Sequence, residues 1–186
     1  MVRLFSAVEL PGSVRAELAE RLRAFRETET DAELRWVPPE RWHITLGFYG
    51  DREHADRRGS WFRRQATGLA ATRLRLRGAG RFPGVLWVGV APLEDRDAAA
   101  LRRLAGALNA DNNAAEYDFA PHVTVARWRR GAAGSRSAVR AVHELADFRG
   151  ASWTAGEAVL FRSDQPGGRG PVYTPLDRVT LAGKQG

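Results

Sequence analysis

The stretch His43-Ile44-Thr45-Leu46 and its echo His122-Val123-Thr124-Val125 decide how this chain is read. Each is histidine, apolar, threonine, apolar. Side chains on a β-strand alternate between faces, so in each copy the histidine and threonine share one face while the aliphatic residues turn into a core. The first copy follows the rigid break Trp36-Val37-Pro38-Pro39, in a strand expected over residues 40–49; the second follows Phe119-Ala120-Pro121, in a strand reaching Arg127 and Trp128. The chain has 4 histidines in 186 residues, and two of them begin the same tetrapeptide, one in each half. Each half is therefore expected to contribute one equivalent strand to a shared polar surface.

Outward from these strands, residues 2–10 alternate as a strand, and residues 13–26 place Val14, Leu18, Leu22 and Phe25 at helical spacing. Residues 51–71 read as a helix with Trp61, Phe62 and Leu69 inward. Leucine alternates strictly with arginine through residues 72–77, a strand with one wet face, and residues 85–90 follow the Phe82-Pro83-Gly84 turn as its hairpin partner. Residues 95–108 form an amphipathic helix through Ala98, Leu101, Leu104 and Leu108. Further expectations are a helix over 137–148, strands over 153–162 and 172–176, and a loop over 163–170. Helices and strands are interleaved, yet the hairpin signals point to antiparallel pairing, so α+β is preferred to a doubly wound parallel sheet.

Composition bounds the function. At 186 residues with 44% hydrophobic and 27% charged residues, one globular domain spanning 1–186 is the simplest organisation. No apolar run approaches the roughly 20 residues that span a bilayer, and the first residues lack a signal-peptide pattern, so no membrane partner and a cytoplasmic location are expected. The absence of cysteine excludes thiolate nucleophiles, iron–sulfur clusters and cysteine-based zinc sites. A net charge of +7 favours a polyanionic partner, although the only lysine is Lys184 and an arginine bias of this kind also follows genome composition.

Two imidazoles and two hydroxyls on one surface suit metal-free acid/base chemistry on a phosphate ester. Opening a cyclic phosphodiester in line needs a base for the attacking water and an acid for the departing sugar oxygen, and histidine serves as either near neutral pH. Thr45 and Thr124 are placed to donate to the non-bridging oxygens. Arg127 sits at a strand end, where twist or a bulge decides whether it reaches phosphate or solvent. On the first strand Arg41 and Tyr49 share the parity of His43 as candidate rim residues, and Gly47 between them leaves room for a ligand. Trp42 and Trp128 flank the tetrapeptides and read better as core than as base-stacking platforms. His54 and His143 read as ordinary helix histidines. No third metal ligand accompanies His43 and His122, so no metal or other cofactor is expected. Gly167-Gly168-Arg169-Gly170 could cradle an anion, but a surface loop fits it better.

At these residues the chain resembles the two-histidine phosphoesterase superfamily, and within it the bacterial 2'-5' RNA ligase or RNA 2',3'-cyclic phosphodiesterase family. The resemblance extends to RLFSAVELP (3–11), RWVPPERWHITLGFYGD (35–51), FAPHVTVAR (119–127) and AVLFRSDQPGGRGPVYTPL (158–176), in the family's order. It implies a bilobal α+β fold of two mainly antiparallel sheets with pseudo-twofold symmetry, outer helices and a central cleft. It further implies that His43 donates a proton to the leaving 3'-oxygen, that His122 activates water, and that Thr45, Thr124 and Arg127 contact phosphate. The implied partner is RNA ending in a 2',3'-cyclic phosphate, opened to a 2'-phosphomonoester by a protein acting as a monomer, with ATP-independent 2'-5' ligation as the reverse direction. A small cyclic phosphodiester as substrate, and a non-catalytic basic RNA-binding module, are the alternatives. Gly47-Phe48-Tyr49-Gly50 departs from the family's usual phenylalanine-leucine-glycine ending and bears on the cleft wall.

Overall fold

Alternating apolar residues make the first strand, β1 (Arg3–Glu9), whose centre is fully buried. Helix α1 (Gly12–Thr28) comes next and buries Val14, Leu18 and Leu22, spaced one per turn. After it come β2 (Arg35–Trp36), a 3-10 turn at Pro39–Arg41, β3 (His43–Phe48), α2 (Ala55–Ala66), the hairpin of β4 (Thr72–Phe82) and β5 (Val85–Pro92), and α3 (Asp95–Leu108). The chain continues through β6 (His122–Arg127), α4 (Gly134–Glu144), β7 (Arg149–Ala155), β8 (Glu157–Asp164) and β9 (Val172–Thr180). This computed structural model describes residues 2–28, 34–50, 53–109, 119–129, 134–167 and 170–183. Among the described residues no helix is long and apolar enough to cross a membrane.

The strands form the α+β arrangement that the hairpin signals imply, in the order β7-β4-β5-β6-β3-β1-β8-β9, with β2 also paired to β6 and every pair antiparallel. The order is symmetric about its centre. One half is β3-β1-β8-β9 and the other β6-β5-β4-β7, and each places a motif strand innermost. The two expected sheets meet edge to edge at one register pair, Ile44 opposite Val123, where the aliphatic residue after each motif histidine is fully buried.

Helices pack against this sheet. Helix α3 lies against β3, β4 and β5, α2 against β8 and β9, α1 against β7 and α4 against β4. A single apolar cluster runs under both halves, from Leu4 and Leu18 through Ile44 and Val123 to Leu104 and Trp153. The start of α3 is tied to β4: the Asp97 carboxylate accepts from the Arg73 backbone N–H (2.9 Å), and Thr72 Oγ1 donates to the Asp97 carbonyl (2.9 Å). An acidic group there also complements the helix dipole.

Several element boundaries differ from the sequence expectation for local reasons. The strand expected over 153–162 is two strands broken at Gly156: β7 pairs with β4 at one edge, and β8 crosses to pair with β1 in the other half. Helix α2 stops at Ala66, and Gly68 takes the left-handed conformation (φ +80°) that closes it; residues 51 and 52 of the expected helix lie outside the described residues. Strand β4 runs five residues beyond Arg77, through a bulge at Gly78 (φ +59°) to Phe82. Helix α4 ends at Glu144, before the buried side chains of Leu145 and Phe148.

Candidate active site

Strands β3 and β6 carry the same burial sequence: half-buried, buried, half-buried, buried, buried, exposed. The half-buried positions are His43 and Thr45 on β3, and His122 and Thr124 on β6. Two consecutive buried residues break strict alternation, and each pair marks a β-bulge. Leu46 and Gly47 face a register slip between Ser6 and Ala7; Val125 and Ala126 face one between Leu86 and Trp87. The extra residue reverses the parity of the rest of each strand, so Phe48 and Arg127 return to the face of the histidines. The antiparallel register about Ile44 and Val123 sets His43 against Thr124 and Thr45 against His122. The two histidines are then diagonal neighbours, a relationship that spaces residues about 7–8 Å apart.

Both imidazoles are held alike. His43 Nδ1 lies 2.7 Å from the Arg41 carbonyl and His122 Nδ1 lies 2.8 Å from the Ala120 carbonyl, each two residues upstream. A carbonyl only accepts, so Nδ1 donates in both rings and each Nε2 is left to exchange a proton with a ligand.

Their surroundings differ. A separate apolar cluster of Phe5, Ala7, Val159 and Phe161, with Tyr173 packed on it, lies beside His43. The Phe5 and Tyr173 rings lie 4.9 and 5.4 Å from the imidazole. Burial lowers the His43 pKa to about 4; the Arg41 carbonyl bond and the Glu9 charge act upward, and Arg127 and His122 act downward. His43 is therefore neutral in the free site at neutral pH. On the other side Phe82 and Trp87 lie 5.3 and 5.9 Å from the His122 ring. Tyr173 keeps its phenolic proton, its pKa raised by burial against the opposing pull of Arg127 and Arg41.

Arg127, left open by its strand-end position, faces this site, since its charge is felt at both His43 and Tyr173. Arg41 sits in the 3-10 turn beside Gly170, whose added Cβ would lie 2.6 Å from Arg41 Nη1, and its charge also reaches Tyr173. Two expectations are corrected by the first bulge. Tyr49 is buried rather than on the rim, its hydroxyl donating to the Leu108 carbonyl (2.8 Å) and lying 2.6 Å from Ser6 Oγ. Gly47 gives room to helix α3, not to a ligand: a Cβ there would lie 2.1 Å from the Leu108 carbonyl oxygen.

Trp42 and Trp128 are core residues, with the Trp42 indole donating to the Val37 carbonyl (3.0 Å). His54, just before α2, and His143, on α4, are exposed and belong to neither motif strand. Gly168 and Arg169 of the glycine-rich loop lie outside the described residues. The aromatic residues on this face, Phe5, Phe48, Phe82, Trp87 and Tyr173, are not among those that the sequence singles out. Parity puts Phe5 within reach, two strand steps from Glu9, but the bulge hides Phe48.

A model of the 2'-5' RNA ligase superfamily matches residues 10–167. The chain belongs to the 2'-5' RNA ligase superfamily. Within this superfamily it is 34% identical over 201 residues to a Thermus thermophilus protein named RNA 2',3'-cyclic phosphodiesterase, covering 100% of this chain and 93% of that one. It is 28% identical over 186 residues to a protein of the same name from Methanothermobacter thermautotrophicus, covering 97% and 99%. A crystal structure from Thermus thermophilus superposes with a TM-score of 0.69 at 30% identity, covering 98% of this chain and 100% of the other. The superfamily assignment thus agrees with the resemblance carried by the paired motifs.

Proposed function

We propose that this protein is a phosphodiesterase that opens the 2',3'-cyclic phosphate at an RNA end to a 2'-phosphomonoester, with His43 and His122 as its acid/base pair and no metal ion. The observation that carries this is the matched locking of the two imidazoles: each Nδ1 is committed to a backbone carbonyl, and the rings share one face of adjoining antiparallel strands. The names of the two relatives support the substrate class.

In this reading the phosphate lies over Thr45, Thr124 and Arg127. His122 Nε2 takes a proton from water as its oxygen bonds to phosphorus, the bond from phosphorus to the 3'-oxygen breaks, and His43 Nε2 returns a proton to that oxygen. The hydroxyls and the guanidinium offset charge on the non-bridging oxygens. His43 is neutral in the free site, so the anionic substrate, set against Arg127 and the imidazole, is what brings His43 to its protonated form. An RNA 5'-hydroxyl in place of water would give a 2'-5' linkage by the same route. All these groups come from one chain, so a monomer is sufficient, with the cytoplasm as its expected compartment.

The test is to incubate cyclic-phosphate-terminated RNA with the protein in excess chelator and identify the end group. A 2'-phosphate that disappears with His43→Ala and with His122→Ala is expected. Full turnover by both variants, or activity that needs an added metal, overturns the proposal.

A further inference from the structure

Strand β3 meets β6 only around Val123; further along the same edge, β2 takes its place, pairing Trp36 with Ala126 and Arg35 with Arg127. Direct cross-strand partners point to one face. The direction of Arg35 is checked by its neighbour: Trp36 packs edge-on against Phe25 of α1 (6.0 Å), with the Arg26 guanidinium 5.5 Å over its ring. Trp36 therefore faces the helices, and Arg35 projects to the opposite face, where Arg127 reaches His43 electrostatically. Like charges placed directly opposite on a sheet are destabilising. Among the described residues neither arginine has a carboxylate within ion-pair distance. By contrast, Arg23, Arg58, Arg73 and Arg178 each have one. Two exposed arginines opposite one another at the edge of an anion site put a second cation next to Arg127, free to meet a further phosphate.

Its position sets which phosphate. On β5, Thr124 is opposite Trp87 and Arg127 is opposite Val85, so the pair lies two residues, about 7 Å, beyond the threonine that faces the reacting phosphate. That is one nucleotide step along an extended strand. We propose that Arg35, beside the Arg127 that reaches the reacting phosphate, holds the phosphodiester adjoining the terminal nucleotide, making the site selective for oligonucleotide ends over nucleoside 2',3'-cyclic phosphates. This rests on the phosphodiesterase reading above and extends it to substrate length.

The experiment compares kcat/KM for a cyclic-phosphate-terminated RNA tetranucleotide and for adenosine 2',3'-cyclic phosphate in wild type, Arg35→Gln and, as a charge-loss control on exposed α3 surface, Arg102→Gln. Loss of one charge-assisted phosphate contact corresponds to about a tenfold to hundredfold effect. The ratio of the two kcat/KM values is expected to fall by about that factor in Arg35→Gln, through KM for the tetranucleotide, and to hold in Arg102→Gln. The slope of log KM for the tetranucleotide against log salt should shrink by about 0.7, one phosphate's worth for a single strand. An unchanged ratio in Arg35→Gln, or an equal fall in Arg102→Gln, overturns the proposal. If wild-type protein opens the mononucleotide but shows no preference for the tetranucleotide, the length inference falls and the phosphodiesterase reading stands. If it opens neither, both fall.

Discussion

Glu9 and His43 are direct partners across β1 and β3, yet the Glu9 carboxylate is held by Arg178 of β9, at 2.7 Å, and not by the imidazole. Arg178 also binds Glu157 at 2.5 Å, so the anion nearest His43 is shared with a cation before it acts on the ring. The corresponding partner of His122 on β5 is Gly89, which brings no charge. Two motifs alike in sequence thus sit in unlike electrostatic settings.

The first prediction concerns the His43 titration. The imidazole is expected to protonate near pH 4 in the free protein, from an ordinary value of 6.5. Arg178→Ala, which releases Glu9, and Arg127→Gln, which removes a cation, should both move it upward, as should binding of a 2'-phosphomonoester. Proton-detected NMR of the ring across pH measures all three. Between pH 6.5 and about 4 the unfolded chain binds the proton first, so this histidine's contribution to folding stability is present above 6.5 and is lost as pH falls. A ring that titrates at its ordinary value, unmoved by either substitution, contradicts the burial of His43 as the cause.

The second concerns catalysis. His43→Ala and His122→Ala should each lower kcat by about 10²–10⁴, the usual contribution of a positioned acid or base. The double variant should lose much less than the product of the two, because the residues act as a pair. Single-turnover rates on cyclic-phosphate RNA, with circular dichroism to confirm folding, decide it; strictly multiplicative losses would show independent roles.

The third separates stacking from packing at Phe48. Phe48 is 65% exposed, and its ring lies on the face of His43, 6.1 Å from the Phe5 ring. Phe48→Ala should change unfolding stability by no more than about 0.5 kcal/mol. If the ring carries a nucleobase, the same variant should weaken binding of a nucleoside 2'-phosphate by about 1–3 kcal/mol, measured by calorimetry. Unchanged affinity would remove Phe48 from the binding surface.

The fourth concerns the bulge in β3. Gly47→Ala drives a Cβ to within 2.1 Å of the Leu108 carbonyl oxygen, backbone that has little room to retreat. A destabilisation of about 1–3 kcal/mol in urea titration is expected. A variant as stable as wild type would mean that Gly47 is not required for the approach of α3.

Strict alternation explains both what is legible along the chain and what is not. From His43 to Thr45 and from His122 to Thr124 it holds, and the polar row of the site can be written down from sequence. One residue later it fails in both strands, because an inserted bulge residue leaves no mark in hydropathy when Leu46-Gly47 and Val125-Ala126 are all apolar. That is why alternation puts Tyr49 and Gly47 on the wrong side and leaves Arg127 open. Gly156 likewise looks like the interior of one strand, since β7 and β8 are nearly continuous in sequence and separate only by pairing with different partners.

Local residue pattern by itself determined that two equivalent strands each present a histidine and a threonine, that the pairing is antiparallel, and that apolar residues back the polar row. These properties come from strand periodicity and hairpin chemistry, which act over a few residues. Only the tertiary structure decided that Ile44 meets Val123, that an aromatic cluster from β1, β8 and β9 strips water from His43, and that Arg35 comes to lie beside Arg127. Register, desolvation and charge proximity depend on residues far apart in the chain, and no periodicity records which of them will meet.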